Sequence, residues 1–151
     1  MFKENYIKLD KKINDKEALF NYLSRKLYQY NRIDNEVNFI NALNERESEI
    51  STGIGNHIAI PHTKDLSILK PTLFYVRLKE MIEYKSLDQK PVKHVFLIAM
   101  PNNYFNEHLT LLSKISTLLL NNSNLEFLNT NNNPKEIYSL INKYLKSDNN
   151  A

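Results

Sequence analysis

The chain has 151 residues, the size of one domain with a core of its own, and no cysteine, which excludes disulfides, thiolate metal sites and a cysteine nucleophile. Twenty basic and 17 acidic residues leave a net charge of +3, which gives no argument for nucleic acid. No apolar run approaches the roughly 20 residues of a membrane helix, and the lysine-rich start lacks the apolar core of a signal segment, so one soluble intracellular domain over residues 1–151 is expected.

In chain order, residues 6–9 read as a first strand. Asn14 and Glu17 have the spacing of a capping box, after which Leu19, Leu23, Leu27 and Tyr30 recur at helical intervals. A second helix is expected after Asp34, with Val37, Ile40 and Leu43 buried and its end near Arg46. Then comes Ser51-Thr52-Gly53-Ile54-Gly55, which holds the only two glycines of the chain, where average usage of about 7% would give about ten. Their isolation points to a backbone requirement, either positive φ or close approach. Asn occurs 22 times and tolerates left-handed backbone, so it takes the place of Gly in other turns.

Ile58-Ala59-Ile60 is a short β-like run stopped by Pro61, and residues 65–70 read as a loop. Strands are expected over 72–78 and 92–100, the second almost continuously apolar and therefore covered on both faces. A helix follows over 107–121 with a stripe of Leu112, Ile115 and Leu119. In the last helix Asn133 is the cap, Pro134 fits the first turn, and Glu136 gives a box-like start before Ile137, Leu140, Ile141, Tyr144 and Leu145. Strands interleaved with helices imply an α/β sandwich with helices on both faces of the sheet.

Four histidines carry what chemistry the composition offers, at positions 57, 62, 94 and 108. His94 sits beside the buried strand with no polar company in the sequence, and His57 reads as a solvent-facing residue at a strand start. His62 follows a proline at the end of a short strand, where side chains of open α/β sheets project into the ligand crevice. Gly53 and Gly55 nearby would let backbone N–H groups converge on an anion. His108 lies in the first turn of its helix, in phase with Leu112, Ile115 and Leu119, beside unpaired N–H groups and a partial positive charge. Two imidazoles, a glycine turn and a helix N-terminus suggest phosphate. No P-loop, dinucleotide fingerprint or nucleophile elbow is present, and the histidines lack zinc-ligand spacing, so neither metal nor cofactor is expected.

Arg46-Glu47, followed by Ser51-Thr52-Gly53-Ile54-Gly55-Asn56-His57-Ile58-Ala59-Ile60-Pro61-His62, resembles the enzyme IIA components of bacterial sugar phosphotransferase systems, fructose/mannitol type. Pro91-Val92, Val95-Phe96-Leu97-Ile98-Ala99-Met100-Pro101 and Glu107-His108-Leu109 resemble the second signature of that family. The departures are His57 in place of a small residue, Ile50 before Ser51, and a segment 102–106 without glycine.

The resemblance implies a mixed sheet flanked by helices, His62 as the phosphorylated nucleophile, His108 as the second active-site histidine and Arg46 as the cation of the site. It implies a cytoplasmic phosphocarrier that accepts from HPr and donates to an enzyme IIB, reaching a membrane IIC only through IIB. The alternatives are a regulatory relative in which the phosphate on His62 is a signal, and an unrelated hydrolase or binding module. The reacting ring nitrogen, the sugar and the oligomeric state are not readable from the chain.

Overall fold

The computed structural model describes residues 1–147. A single 3-10 turn, Glu4–Tyr6, leads into β1 (Ile7–Lys11), α1 (Lys16–Gln29), α2 (Glu36–Glu49), β2 (Gly53–Gly55), β3 (Ile58–Ala59) and β4 (His62–Asp65). Then follow β5 (Thr72–Ile82), β6 (Val92–Pro101), α3 (Glu107–Leu119), α4 (Asn122–Thr130) and α5 (Pro134–Leu145). The strands form one mixed sheet in the order β1-β5-β6-β3-β2, with β4 also lying against β6. β1 is parallel to β5, β5 antiparallel to β6, and β3 and β4 parallel to β6. Val95 to Pro101 are all buried, odd and even positions alike, so β6 is covered on both faces. α1 packs on α2 and α2 on β4, while α3 packs on β6, α4 and α5.

Asparagine starts four of the five helices among the described residues, and at three of them its side chain makes the cap. Asn35, Asn121 and Asn133 accept from the backbone N–H groups of Asn38, Ser123 and Lys135. The first helix is capped by Asp15, which accepts from Ala18 at 2.8 Å, and not by Asn14. A carboxylate meets the positive helix end better than an amide, so the cap moves one residue on and the Asn14–Glu17 box does not form. α2 runs past Arg46 to Glu49, and Phe39, not Val37, faces the core; Val37 is 65% exposed. α4 is absent from the sequence-based expectation because Leu125, Phe127 and Leu128 form no 3.6-residue stripe. It is held instead by buried Leu128 and by the Asn124 amide, which donates to the Leu118 carbonyl and to the Tyr144 hydroxyl. β4 is a second element that the sequence does not announce.

His94 does have polar company. It is 2% exposed, with Nδ1 2.8 Å from the Tyr75 hydroxyl and Nε2 2.7 Å from Asn129 Oδ1. An amide oxygen only accepts, so Nε2 carries the proton and Nδ1 accepts from Tyr75. Burial pushes this imidazole down to about 4, against the pull of its Asn129 bond. Below an unfolded value of about 6.5 the unfolded chain takes up a proton that folded His94 refuses, so stability falls as pH drops from there toward 4. At 1.36 kcal/mol per pH unit the fall amounts to roughly 3 kcal/mol. Urea unfolding of wild type and His94→Gln at pH 7 and pH 4 should show the variant losing less stability on acidification by about that amount. Parallel losses would remove His94 from the account.

Candidate active site

The site begins with an interruption in a strand. β3 is in register with His94 and Val95 of β6, and β4 resumes with His62 opposite Ile98. Between them Pro61 has no N–H to give the ladder, although its carbonyl accepts from Ile98 N at 3.0 Å. The Ile60 carbonyl receives no backbone donor among the described residues and accepts from the ring of His62, with Nδ1 at 2.8 Å. A carbonyl cannot donate, so Nδ1 carries the hydrogen and the lone pair sits on Nε2. Arg46, on the last turn of α2, donates to that lone pair from Nε at 3.2 Å and holds the Ile50 carbonyl with Nη1 at 2.9 Å.

Arg46, His62, Thr63, Lys64 and His108 line one cleft of about 170 Å³. His108 stands in the first turn of α3, on the side that buries Leu111, Ile115, Leu118 and Leu119. Its Nδ1 is buried without a hydrogen-bond partner. Lys64 reaches across to the Phe105 carbonyl at 3.1 Å, bridging β4 to the segment that leads into α3. Burial lowers His62 below its ordinary value; the Ile60 bond opposes this, and the charges of Arg46 and His108 reinforce it. Burial and Lys64 likewise lower His108. Both rings are therefore neutral at pH 7 and offer nitrogen lone pairs to a cleft whose fixed charges are cationic.

The structure thus brings together His62, His108 and Arg46. Gly53 and Gly55 lie elsewhere. Gly53 pairs with Ala59 and Gly55 with Ile58, at the His94 end of β6 and four residues from the His62 level, about 13 Å along the strand. Their backbone is engaged elsewhere: Gly53 N–H donates to Ser51 Oγ, and Gly53 O accepts from Leu87 N. What requires glycine is the β5–β6 connection. A Cβ on Gly53 would fall 2.8 Å from Ser86 Cβ, and Gly55 has φ +110° beside Asp88. The expected phosphate loop is a packing site, because two small residues let that connection close over β2. His57 is not a strand-start residue either; with Asn56 it makes the left-handed turn between β2 and β3, its Nδ1 donating to the Pro91 carbonyl at 2.8 Å.

Thr63, Lys64 and Glu47 went unassigned in the sequence. Thr63 and Lys64 become visible only once β4 is known to continue beside β6. The signal for Glu47 was its place next to Arg46.

A family model described as "Phosphoenolpyruvate-dependent sugar phosphotransferase system, EIIA 2" matches residues 1–144. A fructose-specific EIIABC component of Bacillus subtilis is 38% identical over 114 residues, which is 76% of this chain and 18% of that protein. The chain therefore spans less than a fifth of that relative's length. A fructose-specific EIIA component of Haloferax volcanii is 35% identical over 114 residues, 76% of this chain and 74% of that one. Among solved structures, nitrogen regulatory protein IIA-Ntr from Neisseria meningitidis superposes with a TM-score of 0.87 at 28% identity, covering 93% of this chain and 95% of that chain.

Two outcomes are expected. Nitrogen-detected NMR should find neutral His62 protonated at Nδ1, with a midpoint below 6.5 that rises in Arg46→Gln because a repelling charge is gone. A neutral ring protonated at Nε2 would contradict the geometry. Gly53→Ala should lose about 1–3 kcal/mol in denaturant unfolding, with part recovered by adding Ser86→Gly. A Gly53→Ala protein as stable as wild type would show that the approach to Ser86 is not what fixes glycine there.

Proposed function

The chain belongs to the EIIA 2 family of the phosphoenolpyruvate-dependent sugar phosphotransferase system, a family of phosphoryl-transfer proteins, and from that footing we propose that it is a phosphocarrier whose His62 holds the phosphoryl group on Nε2. The observation that carries this reading is the pair of bonds on the His62 ring: Nδ1–H fixed to the Ile60 carbonyl, and the Nε2 lone pair presented to Arg46 in an open cleft.

In the transfer, the Nε2 lone pair attacks the phosphorus of a phosphohistidine on the donor, HPr. The new N–P bond forms as the donor's N–P bond breaks, and that electron pair returns to the donor imidazole. Arg46 must leave Nε2 as the phosphorus arrives, and its guanidinium then pairs with phosphoryl oxygens. Charge spreads over those oxygens in the transition state, so Arg46, Lys64 and a ring N–H of His108 supply the stabilisation. Onward transfer to an enzyme IIB reverses the same step. Phe105 and Leu109, 78% and 53% exposed beside the cleft, give protein partners an apolar footing. The reaction belongs in the cytoplasm, where both partners work.

Identity to the fructose-specific relatives favours a place in sugar uptake, with IIB as acceptor. A second reading, in which the phosphate is a signal, is favoured by the close superposition on IIA-Ntr. The two part at the acceptor: a carrier gives its phosphate to a IIB cysteine or histidine, and a signalling protein retains it.

With enzyme I, HPr and phosphoenolpyruvate, wild type should gain one acid-labile phosphate and His62→Ala none; full labelling of the variant would refute the site. His108→Ala should still be labelled on His62, but its single-turnover rate should fall about 10²–10³-fold, with part of the loss restored by His108→Gln. Transfer at the wild-type rate in His108→Ala would reduce that residue to packing.

A further inference from the structure

Glu47 takes no part in the transfer just described, yet its carboxylate gathers four donors. Oε2 accepts from Thr52 N at 2.9 Å and from Lys16 Nζ at 3.1 Å. Oε1 accepts from Thr52 Oγ1 at 2.6 Å, and the Tyr84 hydroxyl shares its one hydrogen between Thr52 Oγ1 at 2.7 Å and Oε1 at 3.3 Å. The side chain is only 8% exposed, and Thr52 and Tyr84 are buried with it. Lys16 Nζ also lies 4.2 Å from the centre of the Tyr84 ring. Burial, with the Glu47 charge beside it, raises Tyr84, so its hydroxyl stays a donor. One carboxylate therefore ties the end of α2 to three separate parts of the chain: the first residue of α1, the lead into β2, and the β5–β6 connection.

The end of α2 needs such a tie. The last four carbonyls of a helix have no partner within it. α1, α4 and α5 close with a C-cap N–H bonded back into the helix. Ile50, the C-cap of α2, is extended and makes no such bond among the described residues. No C-cap N–H closes that last turn among the described residues, and Arg46 is on it. Arg46 and Glu47 are neighbours, so they leave the helix about 100° apart, one toward β4 and the other toward α1 and β2.

We propose that Glu47 is a positioning residue for the transfer: by anchoring the last turn of α2 from its inner side, it aims Arg46 at Nε2 of His62. The inference rests on the phosphocarrier reading for its rate consequence. A carboxylate is needed because all four approaching groups donate. Glutamine would offer one accepting oxygen and turn an N–H₂ toward the remaining donors. Misplacing a charge-stabilising group by about 1 Å costs up to about 10²-fold in rate without destroying the site.

The test is Glu47→Gln in the full chain, with Thr52→Val as a milder second variant that keeps the carboxylate and removes the 2.6 Å bond together with the 2.7 Å bond between the Thr52 and Tyr84 hydroxyls. Single-turnover transfer from purified phosphorylated HPr should slow about 10–100-fold in Glu47→Gln and less in Thr52→Val. Final labelling of His62 and affinity for HPr should be unchanged. In Thr52→Val, which keeps the Glu47 charge, the His62 imidazole should titrate higher, toward the value in Arg46→Gln, a change that loss of stability alone does not produce; in Glu47→Gln the lost Glu47 charge, which raises His62, opposes that rise. Leu23→Ala, which opens the core away from the site, serves as the stability control: it should melt lower but transfer normally with the wild-type titration. Wild-type rates in folded Glu47→Gln, or wild-type rates with an unchanged His62 titration in Thr52→Val, would overturn the proposal. Absence of phosphate from His62 of the wild-type protein would instead sink the phosphocarrier reading, and the His62 titrations would still decide whether Glu47 aims Arg46.

Discussion

A proline that cannot donate to a sheet sets the chemistry of this protein. Had residue 61 carried an N–H, β3 and β4 could have run as one uninterrupted strand beside β6. With Pro61 in place, the pairing against β6 stops at Ala59 and resumes in the same register at His62. The Ile60 carbonyl, on the side where Ile60 N–H donates to the Thr52 carbonyl, meets no backbone donor among the described residues and takes the ring of His62. A single bond of 2.8 Å then fixes three properties of His62: its ring orientation, its tautomer and the nitrogen that faces the cleft. The same hydrogen bond that satisfies a backbone acceptor also leaves the Nε2 lone pair facing the cleft, the feature on which the proposed transfer rests.

The electrostatics follow from that arrangement. A histidine buried beside an arginine resists protonation, and here burial outweighs the opposing pull of the Ile60 carbonyl. The consequence is a lone pair at neutral pH in a cleft that holds Arg46 and Lys64 and no carboxylate. Such a cleft is better matched to a phosphoryl group, with its negative oxygens, than to the empty state. Neither cation is wasted in the resting protein: Arg46 donates to Nε2 and to the Ile50 carbonyl, and Lys64 to the Phe105 carbonyl. The hydrogen-bonded acceptors are neutral and weaker partners than a phosphoryl oxygen, and the Glu49 carboxylate stands 3.9 Å from Arg46 Nε at an exposed position, so the proposed transfer would let both side chains exchange partners.

The sequence made the layers legible because they follow from periodicity: the doubly buried β6 and the asparagine cap of α5 are where the pattern puts them, and the stripe of α3 keeps Ile115 and Leu119 but buries Leu111 and Leu118, with Leu112 half-buried. It also made His62 and His108 legible through their placement, after a proline at a strand end and in the first turn of a helix, while their roles and Arg46 came through the resemblance. The two glycines were rightly singled out as a backbone requirement but assigned the wrong neighbour. Composition reveals that a close approach exists, while only the fold reveals that Ser86 makes it. The polar roles of His94 and Glu47 were invisible for the same reason. Apart from Thr52, five residues from Glu47, their partners lie 19 to 37 residues away in sequence, on elements whose order in the sheet no local pattern encodes. β4 and α4 escaped because each is held by neighbours more than by its own periodicity.

Membership of the EIIA 2 family and the geometry of the His62 ring bear on different questions, the first on the class of reaction and the second on the atom that performs it. The most direct test of the account is therefore the position of phosphorus on the ring. Nitrogen- and phosphorus-coupled NMR of the freshly phosphorylated protein should show the phosphoryl group on Nε2 of His62, with the Nδ1 proton still bonded to the Ile60 carbonyl. Phosphorus on Nδ1 would contradict it, because that nitrogen is the one the interrupted strand holds in place.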